Sequence, residues 1–297
     1  MKVLLLGKDG QVGRALVPAL AALAEVVALG RAEADFEQPG ELPRLVADHA
    51  PDVIVNAAAY TAVDKAETDP DRARLVNVEA VAALAGAARR RDIWLVHYST
   101  DYVFDGQKPG PYDESDAPNP LNVYGATKSR GDVAIAESGC RHLIFRVSWV
   151  YGDGDGHFAG TMLRLARDSD SLAVVADQVG APTSARLIAS VTAEALARLA
   201  TPDGLEGTYH LAASGSVGRA DYARFVIAEA ASRGARLSLA PEAVADVATA
   251  DYPTPAARPL NSRLATQKLE AALGRPMPVW QDDVRRWVAA REGRGDG

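Results

Sequence analysis

An apolar run that stops on glycine sets the first limit on what this chain can fold into. Val3 to Leu6 are apolar, and glycines follow at 7, 10 and 13, just ahead of the helical stretch "RALVPALAALA". A short apolar run bounded by glycine reads as a buried strand, and the pattern after it as a turn into a helix. The alternation continues through "VVAL" (26–29), "DVIVNAA" (52–58), "IWLVHYST" (93–100) and "HLIFRVSWV" (142–150). Helical stretches near 40–49, near 70–91 and from about Tyr124 separate these runs. Such alternation predicts an α/β fold with a doubly wound parallel sheet, covered by helices on both faces and joined by right-handed crossovers.

The second half is less regular. Helices are expected near 157–168, 184–199, 219–233 and 278–291, with short strands in "LAVVAD" and "GTYHLAA" and a proline-rich stretch "DYPTPAARPLNSRL". The expected division is a dinucleotide-binding domain over 1–148 and a smaller α/β substrate-binding lobe over 149–297. Some segments of the lobe should return to the main sheet.

Composition excludes several classes. The chain has 297 residues, 48% of them hydrophobic, which is ample for a sizeable core. A net charge of −7 argues against a nucleic-acid or membrane-surface binder. Cys140 is the only cysteine, so no intrachain disulfide forms, as suits a reducing compartment. His49, His97, His142, His157 and His210 show no metal-ligand spacing. The first apolar run is too short for an export signal, and no stretch reaches the length of a membrane span. The expected location is the cytoplasm. The terminal Arg294-Gly295-Asp296 reads as a frayed end.

Gly7, Gly10 and Gly13 have G-x-x-G-x-x-G spacing. Glycine lets backbone approach a pyrophosphate closely, and the helix start offers free N–H groups. The trio therefore marks either a dinucleotide site or simply a tight turn, and its place after the first strand favours the former. The second strand ends in Gly30-Arg31 where an acid often binds a ribose. Arg31 is either a solvated surface residue or a partner for a 2′-phosphate. The expectation is NADPH, with NADH tolerated.

Ser99, Thr100 and Asp101 close the strand "IWLVHYST", and Tyr124 and Lys128 lie one turn apart on the next helix. Ligands of open parallel sheets sit beyond the carboxyl ends of strands. Thr100 can hydrogen-bond a carbonyl oxygen, Tyr124 can protonate it, and Lys128 can favour the tyrosinate left behind. Trp149 follows the next strand and can cover a sugar face, or else be a core residue. Arg258 and Asn261 could reach substrate phosphates, although a structural arginine would look the same.

With these residues in place, the chain resembles the extended short-chain dehydrogenase/reductases, a Rossmann-type family, and within them the branch containing the dTDP-4-dehydrorhamnose reductases. "GKDGQVG", "DVIVNAAAYTAVDKAE", "VHYSTDYVFDG", "PLNVYGATK", "FRVSWVYG", "DQVGAPT" and "RPLNSRL" carry the likeness across nearly the whole chain. The resemblance implies that Gly10, Gln11 and Val12 line the pyrophosphate and that Asp35 and Phe36 lie near the adenine. It puts Ala59, Tyr60 and Thr61 along the cofactor, and Tyr98 and Lys128 at the nicotinamide ribose. It gives Thr100, Asp101 and Trp149 to the dTDP-sugar and makes Tyr124 the proton donor. The implied reaction is reduction of a 4-keto-6-deoxysugar nucleotide, giving dTDP-L-rhamnose for cell-envelope polysaccharide.

Two rivals stay open. One is a dehydratase or epimerase of the same superfamily. Dehydratases of this kind carry an acid after the Thr-Asp pair, where this chain has Tyr102. The other is a non-catalytic NADP-binding regulatory subunit. The family also contains magnesium-bridged dimers, with carboxylates on the first helix and on the helix after "GAPT". This chain has Ala15 and Arg186 there. The expectation is no metal at that interface, and a monomer or a homodimer joined differently.

Overall fold

Alternation along the strands divides the interior into two cores. The computed structural model describes residues 1–199 and 204–293; Arg294-Gly295-Asp296 lies outside them. Strands β1 (Lys2–Leu6), β2 (Glu25–Leu29), β3 (Val53–Asn56), β4 (Trp94–Thr100), β5 (His142–Val147) and β6 (Gly207–Leu211) form one parallel sheet of order β6-β5-β4-β3-β1-β2. Successive side chains point to opposite faces. Val3 and Leu5 of β1 therefore enter one core, and Leu4 and Leu6 the other. In β4, Trp94, Val96 and Tyr98 join the first core and Leu95 the second, which turns His97 and Ser99 to the second face.

Helices α1 (Gln11–Ala21), α2 (Leu42–His49), α3 (Ala80–Arg91), α4 (Val123–Ser138), α5 (Phe158–Asp168), α6 (Ala185–Arg198) and α7 (Arg219–Ala231) cover the faces of the sheet and enclose a further cluster beside it. α1 packs on α6 on one face, and α3 on α2 and α4 on the other. In that cluster, α5 and α7 enclose Met162, Ala223 and Ile227 beside a parallel pair of short strands, Leu172–Val175 and Val244–Val247. Asn122 caps α4 by accepting from the Gly125 N–H at 2.8 Å. The buried side of α4 carries Thr127, Lys128 and Asp132, because it faces the polar side of β4.

Two local expectations change. The run "HLIFRVSWV" is not one strand: pairing ends at Val147, and Trp149 adopts φ 46°. That turn sends Val150–Tyr151 to pair with Thr183–Ser184. The helix near 70–91 divides into Pro70–Arg74, a π-turn at Leu75–Glu79 and α3. Among the described residues, no helix is long and apolar enough to cross a membrane.

The strand order reverses between β1 and β3. At such a reversal the loops leaving neighbouring strands diverge and open a crevice.

Candidate active site

The crevice is built on glycine. Gly7 leaves β1 at φ 89°, and a Cβ there would stand 2.6 Å from the Ala58 nitrogen in the loop after β3. A Cβ on Gly13 would stand 2.0 Å from the Gly7 carbonyl oxygen. Together they bring α1 and the two loops into direct contact. Gly10 is the N-cap of α1, so the first turn presents N–H groups that no carbonyl of the helix can reach. This cradle fits a pyrophosphate.

Two cavities meet there. One, of about 380 Å³, is lined by Gly7, Arg31, Asp35, Phe36, Tyr60 and Arg72 among others. The other, of about 520 Å³, is lined by Gln11, Val12, Thr100, Asp101, Tyr124, Lys128 and Trp149 among others. Gly10, Ala57, Ala58, Ala59 and Thr61 line both. The structure thus groups the expected dinucleotide residues along one groove, except Gly13, which is buried beneath it and lines neither cavity. Arg31 lies at its outer end but pairs with Glu37, which also accepts from Arg72 Nη2 at 2.6 Å and Nε at 2.9 Å.

At the inner end, burial pushes the Tyr124 phenol well above its ordinary range, opposed by its hydrogen bond with Thr100. Tyr124 is therefore held in its protonated form. The Thr100 hydroxyl donates to Asp101 Oδ1 at 3.2 Å and accepts from the Tyr102 N–H at 3.2 Å. Asp101 is buried and its Oδ2 has no protein partner. Burial raises its pKa to about 6, opposed by the neighbouring Ser262 and Thr100 hydroxyls. Lys128 is only 1% exposed, and burial lowers its pKa to about 8. Its Nζ lies 2.9 Å from His97 Nε2, so the lysine expected to face the phenol is tied to a histidine.

Three expected contacts differ. Tyr98 lends its ring to the cavity wall, but its hydroxyl donates to Thr192 Oγ1 at 2.8 Å, Thr192 itself donating to the Ile188 carbonyl. A hydrogen on the Tyr98 hydroxyl is thus committed to α6 and not to a ribose. Arg258 donates to Asp64 Oδ2 at 2.8 Å and to the Ala256 carbonyl at 2.9 Å. Asn261 donates to the carbonyls of Lys108 and Gly110 and accepts from Arg263 Nε at 2.8 Å. Both residues are held by the protein, and neither lines the cavity.

The cation that does line the cavity beside Lys128 is Arg219, at the start of α7. Its guanidinium lies 4.3 Å from the centroid of the Trp149 ring, and Nε donates to Gln178 Oε1 at 3.0 Å. Its sequence signal was its place opening a helix after Gly218. Asn77, on the π-turn, also went unread: it accepts from the Tyr60 N–H at 2.9 Å and donates to Thr127 Oγ1 at 3.2 Å. It thereby ties the loop after β3 to α4. No group of metal-ligating side chains is found among the described residues.

Comparison with known proteins gives the family. Residues 1–292 match the family described as "RmlD substrate binding domain". The chain is 48% identical over 292 residues to a dTDP-4-dehydrorhamnose reductase of Shigella flexneri and 47% identical to one of Escherichia coli (strain K12), covering 97% of each chain in both cases. Among solved structures, a Clostridium acetobutylicum dTDP-4-dehydrorhamnose reductase superposes with a TM-score of 0.90 at 32% identity, over 98% of this chain and 100% of the other. The Bacillus anthracis reductase in complex with NADP superposes with a TM-score of 0.86 at 30% identity, over 97% and 99%. Because the likeness runs through both halves and is not confined to the widely shared sheet, the chain belongs to the dTDP-4-dehydrorhamnose reductase family.

Proposed function

We propose that the protein reduces dTDP-4-dehydro-β-L-rhamnose to dTDP-L-rhamnose in the cytoplasm, using NADPH and tolerating NADH. The observation that carries this reading is the placing of Tyr124 beside Thr100 and Lys128 on the wall of the larger cavity, at the inner end of the dinucleotide groove. The product supplies nucleotide sugar for cell-envelope polysaccharide.

The chain's own residues divide the work. Gly10, Gln11, Val12 and the α1 N-terminus would hold the dinucleotide pyrophosphate, with Asp35 and Phe36 at the adenine end and Ala59 to Thr61 along its length. Bound there, NADPH supplies the hydride that goes to the sugar C4. Tyr124 gives its phenolic proton to the C4 oxygen, so the ketone becomes an alcohol and the phenol a phenolate. Thr100 steadies that oxygen by turning its one hydroxyl hydrogen to it from Asp101. Lys128, as the ammonium, offsets the phenolate charge. Asp101 Oδ2 accepts from a sugar hydroxyl, and the Trp149 ring covers the deoxysugar nucleotide. Arg219, and not Arg258 or Asn261, meets the diphosphate.

No metal enters this scheme. Ala15 packs against the core and Arg186 is exposed, and neither is an oxygen ligand for magnesium. We propose a monomer or a homodimer assembled without a bridging cation.

The test is NADPH oxidation with a panel of 4-keto sugar nucleotides. Stoichiometric oxidation with formation of dTDP-L-rhamnose is the expected result. Redox-neutral conversion with retained NAD would make the protein a dehydratase or epimerase. NADP binding without turnover of any sugar would make it a regulatory subunit.

A further inference from the structure

Behind Lys128 lies a chain of hydrogen bonds that the reaction scheme does not use. His97, on the second face of β4, is fully buried. Its Nε2 meets Lys128 Nζ at 2.9 Å, and its Nδ1 meets Asn56 Nδ2 at 3.1 Å. The Ala58 N–H donates to Asn56 Oδ1 at 3.1 Å.

The direction of this chain is fixed at one end. A backbone N–H only donates, so the Asn56 oxygen faces Ala58 and its NH2 group faces His97. His97 Nδ1 must then accept, which leaves the proton of the neutral ring on Nε2. A charged imidazole is disfavoured by burial first and by Lys128 second, which together hold the His97 pKa well below its usual value. The Nε2–H therefore points at Lys128 Nζ. An ammonium has three donors and no acceptor, whereas an amine has a lone pair to receive that proton.

We infer that His97 is a positioning residue for the reaction: locked by Asn56 with its proton on Nε2, it anchors Lys128 and presents a donor to Nζ, favouring the amine over the ammonium. Only the activity part of this inference rests on the proposed reduction. Other groups around Lys128 act in both directions. Asp132, one turn along α4, favours the ammonium, but it is shared with Arg146 Nε of β5 at 3.4 Å and with the Ser99 hydroxyl of β4 at 2.7 Å. Tyr124, one turn before, is uncharged until it gives up its proton. Burial lowers the Lys128 pKa, in the same direction as the histidine donor. The pH at which Lys128 becomes able to support the Tyr124 phenolate is thus set partly by His97, through two bonds and a backbone amide.

Two experiments test this. Long-range proton–nitrogen NMR of the full-length, ¹⁵N-histidine-labelled protein identifies the protonated ring nitrogen, with the His97 signals assigned by their loss in His97→Gln. A neutral ring with its proton on Nε2 is the expected result. A proton on Nδ1, or an imidazolium at neutral pH, overturns the inference whether or not the protein reduces any sugar. The second reads the basic limb of the kcat profile for NADPH-dependent reduction. His97→Gln offers Lys128 a carbonyl acceptor and should move that limb up by about one pH unit. His97→Leu should lower kcat much more than it raises KM, and His97→Gln should recover part of the loss. A limb that stays in place in an active His97→Gln enzyme overturns the inference, since lost packing alone would not move it.

Discussion

Gly10 and Gly13 sit in the same turn, yet alanine should act on different properties at the two positions. At Gly13 the added Cβ would stand 2.0 Å from the Gly7 oxygen and 2.8 and 2.9 Å from the Gly7 carbon and Lys8 Cα, all of them backbone atoms. An ordinary carbon–oxygen contact needs more than a further ångström, and α1 cannot retreat without losing its packing on α6. Alanine in a helix gains about 1 kcal/mol over glycine, whereas an overpacked contact costs about 1–3 kcal/mol. With three backbone atoms inside 3 Å the clash belongs at the upper end of that range, so Gly13→Ala should lose about 2 kcal/mol net. At Gly10 φ is −73° and the nearest atom to the added Cβ is 3.5 Å away. Fewer unfolded conformers and a poorer N-cap act in opposite directions, each worth about 1 kcal/mol or less. Gly10→Ala should keep the parent's stability but place a methyl where the pyrophosphate must approach, weakening NADPH at least tenfold, or about 1.4 kcal/mol. Urea unfolding without nucleotide measures the first effect, and titration calorimetry with NADPH the second. A Gly13→Ala protein as stable as the parent, or a Gly10→Ala protein with undiminished NADPH affinity, refutes the reading of this loop.

Tyr124→Phe keeps the ring and removes the transferable proton; turnover should fall on the order of a hundred- to ten-thousandfold while NADPH binding persists, and near-normal kcat in the folded variant would mean that another group protonates the sugar. Glu37→Gln removes the negative charge that holds Arg31 and Arg72 and should raise the ratio of kcat/KM for NADPH over NADH, with Arg31→Asp moving it the other way; unchanged ratios would show that this cluster does not read the 2′-phosphate. A chelator should alter neither activity nor solution mass, and a loss restored by magnesium would contradict the metal-free scheme.

The parts of the site that could be read from sequence are those where backbone geometry restricts residue choice. A glycine trio is legible by its place after the first strand, and a tyrosine and lysine one turn apart by the polar strand end that precedes them. For Arg258 and Asn261 the sequence left a substrate phosphate and a structural partner both open, because it does not say which partner a polar side chain takes; Asp64 lies 194 residues before Arg258. Tyr98 and His97 show the same limit more locally. Strand alternation separates them onto opposite faces, but only the packed helices decide that Tyr98 meets Thr192 and His97 meets Lys128. The left-handed Trp149 carries no sequence warning, since a bulky residue rarely adopts that conformation.

The place of β6 at the edge of the sheet has a consequence for biogenesis. β5 leaves the ribosome with one edge bare, and its neighbour on that side, Gly207–Leu211, is still unmade. At roughly 5–20 residues per second, the intervening sixty or so residues take about 3–12 s to synthesise. The apolar side of α1 waits in the same interval for α6. For those seconds the nascent chain carries an unpaired strand and an uncovered helix face, the features that invite pairing with other chains. The parallel sheet is therefore not complete until Leu211 has left the ribosome.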